Sequence, residues 1–170
     1  MKLKNSIAIA VMGLFISPAF AADEWGIPHE KAATFKAKVV DILCELTKDC
    51  PANCGDGKRQ LGLLTDDGKL IPVLKNIDPF AGGVKELIGY CNKTITADGL
   101  IVNNPKMTMF VIQNSGPAGG KLSPANKFGK DWAKANPGKP ADEWYAHDKQ
   151  IKAVLAKDGI LGRPDLKLKK

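Results

Sequence analysis

Four cysteines, at positions 44, 50, 54 and 91, constrain this chain more than any other feature, because three fall close together and the fourth stands far downstream. An even count in a chain that meets an oxidising compartment reads as two disulfides, and such bridges limit which segments can lie apart. Four cysteines allow three connectivities. Pairing Cys50 with Cys54 closes a short loop, and pairing Cys44 with Cys91 ties the end of the first strand to a distant helix end, so this arrangement is the expected one. A bridge across that longer loop is worth on the order of 3–4 kcal/mol in the chain-entropy account.

The amino terminus supplies the oxidising context. Lys2 and Lys4 form a short positive start, an apolar run extends from Ile7 to Ile16, and Ala19 and Ala21 give the A-x-A pattern that signal peptidase accepts. Residues 1–21 therefore read as a cleavable export signal, with the periplasm as destination. The run of about ten apolar residues is too short to span a bilayer, which takes roughly 20. No later stretch is long and apolar enough, so the mature chain is expected to be soluble, without a transmembrane anchor. Residues 22–170 suit a domain of ordinary size.

Charge is unevenly placed. Residues 22–120 hold 11 basic and 12 acidic side chains, whereas residues 121–170 hold 12 and 6. The basicity thus belongs to the C-terminal third, where Lys127, Lys130, Lys134, Lys149 and Lys152 make a candidate docking face for an acidic periplasmic protein or an anionic surface. Nucleic acid is not an expected partner, since export separates the two and stacking aromatics are few.

The element pattern divides the chain at residues 114–120 (NSGPAGG), too rich in glycine and proline to continue a helix or strand. Residues 22–113 read mainly as strands. Thr34 to Leu46 alternates apolar and lysine positions, although Phe35, Val39, Ile42, Leu43 and Leu46 also fit a helix. Gln60–Thr65 and Lys69–Lys75 flank an Asp67-Gly68 hairpin turn. Pro79–Tyr90 reads as a short helix, and Thr94–Val102 and Lys106–Gln113 as strands. Three strands, a helix and two strands is the order of a five-stranded OB barrel. In residues 121–170 one helix is expected from about Ser123 to Asn136 and another over Ala141–Lys157, with Trp144, Ile151, Val154 and Leu155 as its buried stripe. Trp132 and Trp144 read as core anchors. The expected fold is mainly β with α: an OB-like barrel followed by a basic helical extension.

Lys93 to Val102 (KTITADGLIV) resembles the fourth strand of small exported bacterial OB-fold proteins, and Gly62 to Leu70 (GLLTDDGKL) resembles their second-to-third strand hairpin. That resemblance covers residues 34–113 and implies the barrel. It implies no particular activity, because OB barrels host unrelated functions.

Soft-metal binding competes with the disulfide reading. A C-x3-C pair, Cys50 and Cys54, can present two thiolates to Cu(I), with Cys44 as a third. Met107 and Met109 would share one face of a strand. Their side-by-side thioethers resemble the methionine pair of a small periplasmic OB-fold copper and silver chaperone. That family also uses a histidine in its site, whereas His29 and His147 lie outside the barrel segment here. No C-x-x-C, C-x-x-C-H, G-x-S-x-G or H-E-x-x-H pattern occurs, and His147 beside Asp148 reads as a surface pair. The leading expectation is a non-catalytic, disulfide-stabilised periplasmic binding or accessory protein, cofactor-free, docking to a protein or small ligand. The alternatives are a copper or thiol-redox accessory protein using Cys50, Cys54 and Cys44, and a subunit of an exported enzyme complex.

Overall fold

The structure, a computed structural model, describes residues 22–26, 28–75 and 83–159. The export signal expected at 1–21 lies outside the described residues, as do the start of the expected barrel helix and the tail after 159.

Strand β1, Glu30–Asp41, resolves the strand-or-helix ambiguity by being the one and then the other. Its apolar face carries Ala37 and Val39, both fully buried, while Lys36 and Lys38 face outward. Asp41 ends the strand because its carboxylate accepts hydrogen bonds from the Leu43 and Cys44 amides, at 2.9 and 3.2 Å. An aspartate in that position satisfies amides that a helix start leaves without partners, and the short helix α1, Ile42–Thr47, begins there.

Strands β2 (Leu61–Leu64) and β3 (Leu70–Lys75) form the expected hairpin. Helix α2, Val84–Leu87, continues into a 3-10 turn, Ile88–Tyr90. Strands β4 (Thr94–Asn104) and β5 (Met107–Pro117) follow. β1 is shared: Glu30–Lys38 pairs with β4, and Lys38–Asp41 pairs with β2. Parallel pairing of β3 with β5 closes the circuit as β1-β2-β3-β5-β4. This is a closed five-stranded mixed barrel of OB-like topology, with the helical segment between β3 and β4 as expected. Val39, Leu61, Leu63, Ile71, Val73, Leu87, Ile95, Phe110 and Ile112 fill it. Phe35 meets Phe110 edge to face with centroids 4.9 Å apart.

Strand β4 bends at a bulge between Asp98 and Gly99. Asp98 is 1 % exposed, and its carboxylate accepts from the Thr34 hydroxyl and, at 2.8 Å, from the Asn114 amide. These donors compensate a buried charge that would otherwise be costly.

Beyond the barrel, the segment expected as a linker is strand in part: Asn114–Pro117 belong to β5, and a sixth strand, β6 (Ser123–Pro124), pairs outside the barrel with Asn114 and Ser115. The glycine that suggested a break is what permits the pairing. A Cβ on Gly116 would lie 2.3 Å from the Lys121 carbonyl oxygen. Helix α3, Lys127–Ala135, then buries Gly129 and Trp132.

Its start is held from the barrel side. Glu86 on α2 is 8 % exposed; its carboxylate accepts from the Lys127 and Phe128 amides at 2.9 and 3.2 Å and pairs with Lys75 Nζ at 3.0 Å. Asn126, at the capping position, makes no side-chain cap. Glu86 therefore does a cap's work from a different element. Replacing Glu86 by Ala is expected to cost about 3 kcal/mol through lost capping and a disturbed buried ion pair. Hydrogen exchange of the α3 amides should rise well before that of β4 and β5; equal protection in variant and parent would refute this.

Helices α4 (Trp144–His147) and α5 (Lys149–Asp158) replace the single helix expected over Ala141–Lys157. The break falls at Asp148, whose carboxylate caps α5 by accepting from Gln150 and Ile151. The buried stripe is corrected too: Val154 and Leu155 are 57 % and 46 % exposed, and no α5 residue is buried. Trp132 is a buried anchor, while Trp144 is half-buried against Phe128, centroids 4.8 Å apart.

Candidate functional site

The cysteines gather at the end of the barrel where β1 gives way to α1. The pairing is Cys44–Cys50 and Cys54–Cys91, which corrects the expected Cys50–Cys54 and Cys44–Cys91 bridges. Two left-handed backbone features decide it. Lys48, at φ 65°, ends α1 and donates its amide to the Cys44 carbonyl, turning the chain back so that the Cys50 and Cys44 Cα atoms lie 4.5 Å apart. Within the turn Ala52–Gly57, residues Asn53, Cys54, Gly55 and Asp56 all take left-handed φ and ψ. That turn buries Cys54 to 3 % exposure and brings it to Cys91, just after the 3-10 turn. Glycine, asparagine and aspartate tolerate this conformation, but for cysteine it costs about 1–2 kcal/mol.

Arg59 braces the same end. It donates to the Asp49 carbonyl oxygen at 2.9 Å and the Asp49 carboxylate at 2.7 Å. The hydrogen bond to Asp49 holds the guanidinium pKa above its ordinary value, with the Asp49 and Asp41 charges adding to it against partial burial. Asp41 Oδ2 is buried without a hydrogen bond, and the guanidinium 3.5 Å away supplies its compensating charge.

The metal reading changes accordingly. Cys44, Cys50 and Cys54 are all in disulfides and offer no thiolate in this form. Met107 and Met109 lie on β5 opposite Asn104 and Val102, and Val102 pairs with Glu30 at the far end of β1. The length of β1 separates them from the cystines by on the order of 30 Å, so cysteines and methionines do not form one site. Met107 is 53 % exposed and Met109 half-buried. Among the described residues no group of three or more His, Cys, Asp or Glu is placed to hold a metal ion.

The barrel wall carries an open groove of about 410 Å³ lined by Phe35, Lys36, the β2–β3 turn from Thr65 to Lys69, Ile71 and Ile101. The Thr65 hydroxyl donates to Asp67, which lowers the Asp67 carboxyl pKa against the opposing effect of burial, with the Lys69 amide and charge helping. Sequence reasoning identified this hairpin only as a turn and did not single out the groove. Its strongest available signal was Phe35, an aromatic on an otherwise small or β-branched strand face.

The five lysines expected to dock a partner are all exposed. Lys127 pairs with Asp131 at 3.0 Å, and that hydrogen bond lowers the Asp131 pKa. Lys130 and Lys134 share the outer face of α3, and Lys149 and Lys152 stand on α5. The Asp148 carboxylate, beside His147 in the chain, caps α5 through Oδ1. Among the described residues no helix is long and apolar enough to cross a membrane.

These features define a class: a small OB-like barrel stapled by two cystines, with a clamped helical extension. Compared with protein-family models, curated proteins and solved structures, the chain matches none.

Proposed function

We propose that this chain is a periplasmic binding or accessory module that docks an acidic protein through the lysines of α3 and α5. The observation that carries the reading is a set of unpaired basic side chains: among the described residues Lys130, Lys134, Lys149 and Lys152 are exposed and make no ion pair. The Glu86 clamp anchors the α3 part of this surface to the barrel. The export signal read at residues 1–21 and the two cystines support an oxidising location. The resemblance to small exported OB-fold proteins points the same way. The groove beside Phe35 supports small-ligand binding as a companion activity, because it lies on the barrel wall near the second and third strands that OB proteins use.

Exchanging Lys130, Lys134, Lys149 and Lys152 for Glu tests the docking. Capture of the acidic partner from periplasmic extract is expected to weaken at least about tenfold, and the parent's binding to weaken with added salt. Unchanged, salt-insensitive capture by the variant would remove the proposal.

A further inference from the structure

The two cystines differ in what surrounds them, and the difference assigns them different tasks. Cys54 is 3 % exposed, and its bridge joins positions 37 residues apart. In the other bridge Cys50 is exposed and Cys44 half-buried, and the two lie only 6 positions apart. The loop closed by Cys44–Cys50 is also held without it. Lys48 donates its amide to the Cys44 carbonyl at 2.9 Å, Thr47 donates its hydroxyl to the Leu43 carbonyl at 2.8 Å, and Asp49 donates its amide to Thr47 at 3.3 Å. Arg59 then fastens Asp49 by its carbonyl and its carboxylate. Opening this bridge leaves a loop already folded, with its thiols in place to close again.

We propose that Cys44–Cys50 is a thiol–disulfide exchange site whose substrate is a protein dithiol, while Cys54–Cys91 is a structural tie. A partner thiolate attacks the sulfur of the exposed residue Cys50, the Cys44–Cys50 bond breaks, and its electron pair leaves on Cys44, which takes a proton from water. The partner's second thiol, as thiolate, attacks the partner's own sulfur in the mixed disulfide, and Cys50 leaves as a thiolate that takes a proton from water. The partner gains a disulfide, and Cys44 and Cys50 gain two electrons and two protons. Exposed bridges are the ones open to such attack. Leu43 and Leu46, 45 % and 69 % exposed on the helix that carries Cys44, give a protein dithiol apolar contact that a small thiol cannot exploit.

The test uses the full exported chain with both bridges formed. After graded reduction by dithiothreitol and alkylation, peptide mass mapping is expected to find Cys44 and Cys50 modified at a reductant concentration at least about tenfold below that for Cys54 and Cys91. Near-UV circular dichroism of the barrel should be unchanged at that point. Purified thioredoxin, as protein dithiol, should open the bridge at least about tenfold faster than dithiothreitol at equal dithiol concentration. Replacing Leu43 and Leu46 by Ser should reduce that advantage without altering the dithiothreitol rate. Opening of Cys54–Cys91 first, opening of both with loss of the near-UV signal, or no thioredoxin advantage would each overturn the proposal.

Discussion

Replacing Gly99 by Ala is expected to prevent the barrel from closing at ordinary temperature. The bulge at Asp98 and Gly99 brings β4 so close to β5 that a Cβ on residue 99 would lie 2.0 Å from the Val111 carbonyl oxygen and 2.9 Å from the Phe110 ring. The oxygen belongs to backbone in the next strand, so no rotamer change relieves the clash. Moving β5 would disturb its parallel pairing with β3, through Phe110, Val111 and Ile112, which closes the barrel. Phe110 is fully buried at the centre of the core. Overpacking a flexible site costs about 1–3 kcal/mol, and a backbone clash at a closure point should exceed that, taking most of the roughly 5–15 kcal/mol of a typical domain. Urea denaturation of the variant should show a transition at much lower denaturant, or none. A midpoint close to the parent's would show that β4 can bend elsewhere.

Removing Cys54 and Cys91 together, as Ala, is the second large effect. In the chain-entropy account their bridge is worth about 4 kcal/mol, against about 2 kcal/mol for the shorter Cys44–Cys50 loop. Loss of the longer bridge also frees Asn53 to Asp56 from a left-handed turn whose cysteine gains nothing by staying there. The buried sulfur of Cys54 is part of the barrel's apolar cluster, so its removal loses packing as well. The Cys44→Ala, Cys50→Ala double variant should remain folded with a modest shift, since Arg59 and the Lys48 turn still hold that loop. Comparing both double variants with the parent by denaturation checks the ordering. Equal losses, or a larger loss from Cys44 and Cys50, would contradict it.

The two effects sort the residues by how their roles become visible. Gly99 sits in a stretch whose alternation marks a strand, yet nothing local says that a neighbouring carbonyl will arrive where its Cβ would be. The cysteine count indicates bridges in an oxidising chain, but the partners depend on left-handed turns at Lys48 and Asn53–Asp56. Asn53, Gly55 and Asp56 permit such a turn; they do not announce it. The exposed Val154 and Leu155 show the same limit, because a helical stripe marks an apolar face without saying whether another element covers it. Glu86 carried no sequence signal for its role, being ordinary in type and 41 and 42 positions from the Lys127 and Phe128 amides it holds. Its position at the start of α3 exists only once α2 and α3 are side by side.

What the amino-acid sequence determined by itself was the order of the barrel's main elements and the charge pattern: alternation along β1 and β4, the Asp67-Gly68 hairpin, the helix between the third and fourth strands, and a basic C-terminal third. These follow from periodicity, turn chemistry and composition, which act over a few residues and hold wherever the segment ends up. Tertiary structure alone decided which sulfurs meet, that residues 114–117 extend a strand, that the methionines stand far from the cystines, and that a carboxylate on α2 caps α3. Each of those depends on the spatial path between distant segments, and that path comes from the barrel closing on itself.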